Sequence, residues 1–489
     1  MPEGHQRVGM IRKFVEKYTN MAEEMKAAVW YTVGNVVQKI APWLVIVILT
    51  HFLAVESYGV YTVFMSWLEI VEIIVTMRIF IGGYVAGLVQ NDEDKHTYTA
   101  TMQVLLFLLI SIWFGIYFLV RKPLNAFSEM DVPLWILMLV SMYGTASFGL
   151  WASKQRVNNR YKSVLAATVF YGLMGPVIGA LTVVFRCPNP IFTMILVRTV
   201  IQSLVAVYFT LDNLKGAKRK FDIKYALGAL KYNIPLVPYY LAMVLLNHSD
   251  RLMIQKYCGF EDAGLYGVAY SIAALVFIVS GALNLSLQAW IFKSIKAGNR
   301  EKQARYVTIG TVVVALLCLA ELLLAPEAII IISGKVYLEA VWVMAPIIVS
   351  LLVMFIYHQY VNILLYYEKT GSIMVASVVT AAVNIGLNAW LIPVFGYTAA
   401  GYTTLFSYML LMIFYMILMW VTCRKKKLDA GIYFNVRLQM LILLAMLVLG
   451  GVSMLLYELW LLRYILVAVI VLVMVLFRKK IMTLLEIKK

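Results

Sequence analysis

The chain has little charge for its length, which excludes a water-soluble enzyme. Only 14% of its 489 residues are Asp, Glu, Lys or Arg, whereas 63% are hydrophobic and the mean hydropathy is +0.84. A soluble domain carries about 25% charged residues and roughly 45–50% apolar ones. So few polar residues cannot cover the surface of a water-soluble globule. The composition therefore predicts a polytopic membrane protein.

Cysteine pairs and catalytic signatures are also missing. The four cysteines, Cys187, Cys258, Cys318 and Cys423, are far apart and form no CxxC pair, so neither a zinc site nor a redox motif is indicated. Both a Cys187–Cys258 disulfide and four free thiols are compatible with this spacing. The patterns GxxxxGK(S/T), HExxH and GxSxG do not occur. We expect no metal or organic cofactor, and a transporter rather than an enzyme.

What the sequence does contain is a series of long apolar runs. A bilayer crossing takes about 20 apolar residues, and 14 runs of suitable length recur along the chain. This pattern predicts an all-α polytopic membrane protein with about 14 transmembrane helices. The predicted spans are 27–50, 59–83, 99–120, 132–153, 162–185, 190–211, 229–255, 264–291, 305–325, 337–365, 371–392, 397–421, 438–457 and 460–477.

Basic residues set the predicted orientation and divide the chain. The net charge is +17, and on this span map 32 of the 42 Lys and Arg residues fall on one side and 7 on the other. Since Lys and Arg collect in cytoplasmic loops, both termini are expected in the cytoplasm. Topology explains the surplus charge, so no nucleic-acid partner is expected. The predicted segments are a tail at 1–26 without a cleavable signal peptide, an N-lobe at 27–211 (spans one to six), a basic linker at 212–228, a C-lobe at 229–421 (spans seven to twelve), a basic loop at 422–437, spans thirteen and fourteen at 438–477, and a tail at 478–489.

A weak internal repeat supports the division into two lobes. The pattern E-x-x-G-x-Y occurs from Glu56 to Tyr61 and again from Glu261 to Tyr266, 205 residues later. Each copy joins the first two spans of its lobe. Matching positions in two six-span halves favour a duplicated, two-bundle transporter with a parallel repeat.

Charged side chains inside the spans of the N-lobe are candidate substrate contacts, because each costs about 2.5–3.5 kcal/mol to insert at a helix centre. Lys39 lies near the middle of span one, where it could contact an anionic substrate or pair with Glu69 or Glu72 on the next span. Arg78 is placed toward the cytoplasmic end of span two, 180° around the helix from Glu69. Its guanidinium could hold a diphosphate in a bidentate way. Snorkelling to the inner headgroups is the alternative.

The C-lobe supplies further candidates. Asp250 and Arg251 are adjacent in span seven and point about 100° apart, so they should not neutralise each other. They could tie this helix to its neighbours or contact substrate. His358 lies in a polar and aromatic patch of span ten that could form a cavity wall. Asn384 and Asn388 share one face of span eleven, where interhelical hydrogen bonding and sugar contact are both open.

Two expectations concern helix shape and helix ends. Pro235 and Pro238 should kink span seven, because proline removes a backbone donor. Glu321, near the outer end of span nine, is interpreted as a hydrated helix end rather than as a coupling carboxylate.

Several motifs resemble one known family of transporters. They are Lys231-Tyr232-Asn233-Ile234-Pro235-Leu236-Val237-Pro238, Ser249-Asp250-Arg251, Gly264-Leu265-Tyr266, Asn384-Ile385-Gly386-Leu387-Asn388, Ile392-Pro393, Gly396, Gly401 and Thr403-Thr404. In this order they resemble the polysaccharide-export, or oligosaccharide flippase, branch of the multidrug/oligosaccharidyl-lipid/polysaccharide exporter superfamily, over nearly the whole chain. The resemblance implies two six-helix lobes around a central cavity that opens alternately to each side. The C-terminal helix pair adjoins the lobes, where it can form a groove for a lipid tail.

The resemblance also implies a function. The expected substrate is an oligosaccharide on a polyprenyl diphosphate carrier, flipped from the inner to the outer leaflet of the cell membrane for surface polysaccharide assembly. Membrane lipids, a polysaccharide polymerase and glycosyltransferases are the expected partners of a monomer. Coupling to the membrane potential, to protons or to sodium stays open. The alternatives are an ion-coupled multidrug exporter, whose acidic site would use Glu69 and Glu72, and a polytopic sugar polymerase or ligase.

Overall fold

The computed structural model describes Trp30, Gly34 and residues 42–158, 160–185, 187–297, 301–426 and 434–476. These parts of the chain are α-helical, with short 3-10 and π segments and no β-strand. Within them, 12 helices are long and apolar enough to cross a membrane. Two shorter apolar helices, Pro42–Phe52 and Trp460–Leu472, fall where spans one and fourteen are predicted. The prediction of an all-α, multi-pass membrane protein is confirmed.

The helices are numbered here in chain order. They are α1 (Pro42–Phe52), α2 (Val55–Thr76), α3 (Gly82–Gln90), α4 (Lys95–Ser128), α5 (Val132–Val157), α6 (Tyr161–Ala167), α7 (Gly175–Leu181), α8 (Pro190–Leu214), α9 (Ile223–Asn233), α10 (Val237–Cys258), α11 (Phe260–Lys296), α12 (Glu301–Leu323), α13 (Ala325–Ser333), α14 (Val341–Tyr366), α15 (Thr370–Phe395), α16 (Thr398–Lys425), α17 (Val436–Leu455) and α18 (Trp460–Leu476).

Contacts group the described residues into two compact units. Residues 42–48 and 72–237 belong to the first, and residues 49–71 and 238–476 to the second. This grouping differs from the predicted lobe boundaries of 27–211 and 229–421 at α2 and at the start of span seven.

Helix α14 forms the core of the second unit. Apart from Ser350, His358, Gln359 and Asn362, its sequence is apolar, as expected for a helix in a protein core, and 94% of its most apolar 18-residue window is buried. It packs against α11, α12, α16 and α17. Helices α15 and α17 each bury only 28% of the corresponding window. The centrally packed helix can therefore carry polar side chains that find partners on its neighbours.

The two copies of the E-x-x-G-x-Y repeat meet inside the second unit, at the beginnings of α2 and α11. A Cβ atom on Gly59 would lie 1.8 Å from the carbonyl oxygen of Phe260, and one on Gly264 would lie 2.5 Å from that of Val55. Backbone atoms cannot move aside as a flexible side chain can. Both positions therefore require glycine for the close helix approach, which gives the repeat a packing role.

The predicted kink of span seven is confirmed. Helix α9 ends at Asn233, a 3-10 turn follows over Ile234–Leu236, and α10 begins at Val237. Pro235 lies inside the turn and Pro238 in the first turn of α10. Since both prolines lack a backbone donor, the break occurs where fewest helical hydrogen bonds are lost.

The predicted extent of span two is wrong at its end. Helix α2 stops at Thr76, and Met77 and Arg78 follow in the left-handed region, with φ of 50° and 47°. Arg78 therefore lies in a turn, and its calculated angle to Glu69 along one helix does not apply. Ile79 and Phe80 are buried in the core of the first unit. Because buried apolar residues follow the turn directly, hydropathy along the sequence does not mark the end of the helix.

Candidate functional site

Asp250 of α10 is the centre of a buried polar network in the second unit. Its side chain has no solvent exposure. The hydroxyl groups of Tyr266 and Thr404 donate hydrogen bonds to Oδ2, each at 2.6 Å. The amide of Asn388 donates to Oδ1 at 2.7 Å. One carboxyl group thus joins four helices, α10, α11, α15 and α16.

The network extends along α15 because Asn384 and Asn388 are one helical turn apart. Nδ2 of Asn388 also donates to Oδ1 of Asn384 at 3.3 Å, while Thr403 donates to Oδ1 of Asn388. Asn384 donates in turn to the hydroxyl of Ser407 at 3.2 Å. All these side chains are buried. Both asparagines therefore form hydrogen bonds to α16.

Arg251 points away from Asp250, as the helical angle predicts. Its Nη1 lies 3.3 Å from the carbonyl oxygen of Asn247 and 3.4 Å from Nδ1 of His248. The guanidinium carbon lies 4.6 Å from the ring centre of Tyr270, within the range of a cation–π interaction. Asp250 takes its hydrogen bonds from neutral donors, so no ion pair with Asp250 is among the contacts of Arg251.

Three tyrosines continue from this arginine toward α14. The hydroxyls of Tyr270 and Tyr408 both donate to Oδ1 of Asn247, at 3.0 and 2.8 Å. The ring of Tyr357 lies 6.0 Å from that of Tyr408 and 4.6 Å from that of His358. We refer to these side chains as the arginine–tyrosine cluster, which consists of Asn247, Arg251, Tyr270, Tyr357, His358 and Tyr408. A cation, aromatic faces and an amide can together bind an anionic, hydroxyl-rich molecule.

The rest of the predicted polar patch on α14 has two separate sets of partners. The amides of Gln359 and Asn362 donate to Oδ1 of Asn284 on α11, at 3.1 and 3.0 Å. Tyr360 donates to Oε1 of Gln439 on α17 at 2.9 Å. Part of this patch thus attaches the C-terminal helix pair within the second unit.

The other predicted site residues lie in α2, in the turn after it or outside the described residues. Lys39 lies outside the described residues, so its predicted role is unchanged. Glu72 is buried, and Glu69 and Arg78 are half-buried. In the part of the chain that the structure describes, no three His, Cys, Asp or Glu side chains are grouped as metal ligands would be. All four cysteines are free thiols, which decides between the two alternatives left by their spacing.

Sequence reasoning missed a buried ion pair and misread one acid. Arg463 of α18 binds Glu327 of α13 with nitrogen–oxygen distances of 2.6 and 2.8 Å. An arginine in an otherwise apolar helix is the signal for such a pair, but its partner lies in a segment where the span map predicts a loop.

The prediction of a hydrated Glu321 is wrong, because both carboxylate oxygens are buried and no donor among the described residues reaches them. Residues of α11, α12 and α13 pack around Glu321 in an apolar pocket.

Two solved structures have a similar fold. The lipid II flippase MurJ in an inward closed conformation is similar over 94% of this chain and 100% of its own, with a TM-score of 0.66 and 13% identity. An inward-facing multidrug resistance MATE family transporter of the MOP superfamily covers 80% of this chain and 96% of its own, with a TM-score of 0.62 and 12% identity. The chain therefore shares the fold of these two membrane proteins.

Sequence comparison identifies the family. Residues 25–292, more than half of the chain, match the polysaccharide biosynthesis protein family, and the chain belongs to it. A protein of the Lsg locus of Haemophilus influenzae is 21% identical in an alignment of 377 positions that covers 74% of this chain and 89% of that protein. The resemblance inferred from the motifs is thereby confirmed at the level of the family.

Proposed function

We propose that the protein flips a polyprenyl-diphosphate-linked oligosaccharide from the inner to the outer leaflet of the cell membrane for surface polysaccharide assembly. Membership of the polysaccharide biosynthesis family is the observation that carries this proposal. A fold similar to that of a lipid II flippase over 94% of the chain supports it, since that flippase acts on a lipid-linked substrate.

The charge of the arginine–tyrosine cluster favours this substrate over a cationic drug. Asp250, the acid beside the cluster, is fully buried and accepts three hydrogen bonds from neutral groups, so it offers no free carboxylate to a cation. Arg251 instead lies beside Asn247 and the ring of Tyr270. Its guanidinium suits phosphate oxygens, and the neighbouring rings offer apolar faces to a sugar.

The membrane potential is the proposed driving force. A diphosphate carries about two negative charges, and an inside-negative potential contributes roughly 2.3 kcal/mol per charge per 100 mV to outward movement. Proton and sodium gradients are the alternatives. The predicted orientation, with both termini in the cytoplasm, places the uptake step on the inner leaflet.

Reconstitution tests the proposal. Purified protein in vesicles, supplied with a labelled polyprenyl-diphosphate oligosaccharide, should increase the fraction of label that a membrane-impermeant glycosidase can reach. An imposed potential should accelerate this movement without a sodium or pH gradient. Arg251→Ala should slow it at least about tenfold, the equivalent of about 1.4 kcal/mol, and Arg251→Lys should slow it less. Movement of a cationic dye without movement of the lipid would favour the multidrug alternative, and polymer formation would favour the polymerase.

A further inference from the structure

A small pocket in the first unit is lined by none of the candidate site residues predicted from the sequence. It has a volume of about 230 Å³ and lies where α3, the beginning of α4 and α9 meet. Helix α3 was not predicted, because the apolar run that contains the Arg78 turn resembled the end of a span. The lining residues include three tyrosines, Tyr98, Tyr225 and Tyr232, together with Asn233 and Lys224.

Aromatic rings line the pocket and are held in place. The ring of Tyr98 is stacked on Tyr84, with 5.8 Å between centres and 8° between planes, and meets Tyr225 edge to face at 5.4 Å. Two glycines of α3 have no side chain, so tyrosine rings pack directly against the helix backbone at these positions. A Cβ atom on Gly87 would lie 2.0 Å from the hydroxyl of Tyr98, and one on Gly83 would lie 2.6 Å from the ring of Tyr232. Since Tyr232 is 54% exposed, it has surface left for a ligand.

Asn233 supplies a buried acceptor to the same pocket. Its side chain is 2% exposed, and Nδ2 donates to the carbonyl oxygen of Ala229 at 2.8 Å. Oδ1 receives no hydrogen bond from any residue that the structure describes. A buried acceptor of this kind is normally paired. A ligand hydroxyl in the pocket would pair with it.

We propose that this pocket binds a single neutral sugar ring, and that it receives one residue of the lipid-linked oligosaccharide before translocation. The inference rests on the proposed function for the identity of the substrate. Aromatic faces and an amide acceptor suit a polyhydroxylated ring. Asp94, whose Oδ2 accepts a 3.4 Å hydrogen bond from the hydroxyl of Tyr225, offsets the charge of Lys224 in the lining, so the pocket has no surplus positive charge to select an anion. The volume is below the roughly 300–1,000 Å³ of sites for larger ligands, which limits the occupant to one ring.

The position of the pocket agrees with an entry site. On the predicted topology it faces the cytoplasm, the side on which the substrate is made. Arg78 occupies the turn immediately before α3. A sugar ring held in the pocket would keep the attached diphosphate near this end of the protein.

Gly228 allows the pocket to be filled without disturbing its walls. It lines the pocket, and a Cβ atom at this position would meet nothing within 4 Å. Gly228→Leu should therefore occupy the space of the ligand and leave the fold intact. Gly115→Leu is the matched control, because Gly115 also has open space around it and lies on α4 away from the pocket.

Saturation-transfer NMR on the full chain in nanodiscs tests binding directly, with free glucose, galactose and N-acetylglucosamine as probes. We expect saturation of at least one sugar by the wild type and by Tyr232→Phe, which keeps the ring, and by Gly115→Leu. Gly228→Leu and Tyr232→Ala should weaken it roughly fivefold to tenfold. Absence of saturation in the wild type, equal saturation in Gly228→Leu, or displacement of the sugar by equimolar pyrophosphate would overturn the assignment.

The vesicle assay separates this inference from the proposed function. If the wild type moves the lipid-linked oligosaccharide and Gly228→Leu does so with an unchanged half-saturating concentration, the pocket assignment fails and the flippase proposal stands. If the wild type moves none, the flippase proposal fails, whereas sugar saturation in the NMR experiment would still identify the pocket.

Discussion

The ion pair between Glu327 and Arg463 should hold helix α18 in place, and the two partners should not contribute equally. Nη1 of Arg463 donates to Glu327 at 2.6 Å and to the carbonyl oxygen of Leu323 at 2.7 Å, and Nη2 donates to Glu327 at 2.8 Å. The side chain of Arg463 is 3% exposed and that of Glu327 is 24% exposed. Removing Glu327 therefore leaves an arginine that water hardly reaches, whereas removing Arg463 leaves a carboxylate that water partly reaches.

These exposures predict which of the two single substitutions costs more unfolding free energy. Glu327→Gln leaves a nearly fully buried guanidinium without its counter-charge, and breaking a buried pair in this way costs about 3–5 kcal/mol. Arg463→Met leaves a carboxylate that water can reach, so the loss should be close to that of unpaired polar groups, about 1–3 kcal/mol. The double variant should recover much of the stability lost in Glu327→Gln, because no buried charge remains.

Reversible unfolding in mixed micelles of a nonionic detergent and sodium dodecyl sulfate measures these differences, and the four proteins form a double-mutant cycle. Tyr464→Phe is the control, since it removes only the 3.2 Å hydrogen bond from Tyr464 to Glu327. Equal losses for the two single variants, or a larger loss for Arg463→Met, would refute the argument from burial.

The ion pair between Glu327 and Arg463 should also make the stability of the folded protein depend on pH. Partial burial pushes the pKa of Glu327 upward, but the hydrogen bonds from Arg463 outweigh it and hold the pKa below its usual value. A carboxyl group with a lowered pKa stabilises the folded state at neutral pH, and this contribution is lost as the pH falls through the folded-state pKa. The wild type should therefore lose more stability on acidification than Glu327→Gln does.

Three further changes test other parts of the second unit. Gly264→Ala should lower the melting temperature in detergent by several degrees, because its Cβ would meet a backbone oxygen at 2.5 Å, whereas Gly386→Ala, with nothing within 4 Å, should not. Asp250→Asn should lower the melting temperature by several degrees, because an amide NH2 replaces one of the two buried oxygens that accept hydrogen bonds from Tyr266, Thr404 and Asn388, and an unchanged melting temperature would contradict this packing role. Tyr360→Phe removes the 2.9 Å hydrogen bond to Gln439 and should cost about 1 kcal/mol of unfolding free energy in mixed micelles. A loss below about 0.3 kcal/mol would contradict this role.

Local sequence patterns predicted much of the fold and part of the site. The apolar runs located the membrane-spanning helices, and the prolines located the break between α9 and α10. Helical periodicity placed Asp250 and Arg251 in different surroundings, and the structure shows different partners for each. These features depend on residues within one or two helical turns, which is the distance over which sequence patterns carry direct information.

The same patterns failed where a turn or a helix has the hydropathy of its surroundings. The turn at Met77 and Arg78 is followed by residues that pack into the core of the first unit, so nothing in the local composition marks it. Helix α13 lies between predicted spans nine and ten, where the sequence predicts a loop, so the partner of Arg463 is not predicted either. Glu321 was expected to reach water, but the packing of α11 and α13 beside it buries its carboxylate.

The sequence by itself determined that this chain is helical and crosses a membrane many times, because the transfer of a segment into lipid depends on the residues of that segment alone. Only the tertiary structure decided which polar groups meet. Asp250 binds Asn388 and Thr404, 138 and 154 residues away, and Glu327 binds Arg463 across 136 residues. Such pairs depend on which helix faces oppose one another and at what depth. That is a property of the packed assembly, and no single segment of the sequence contains it.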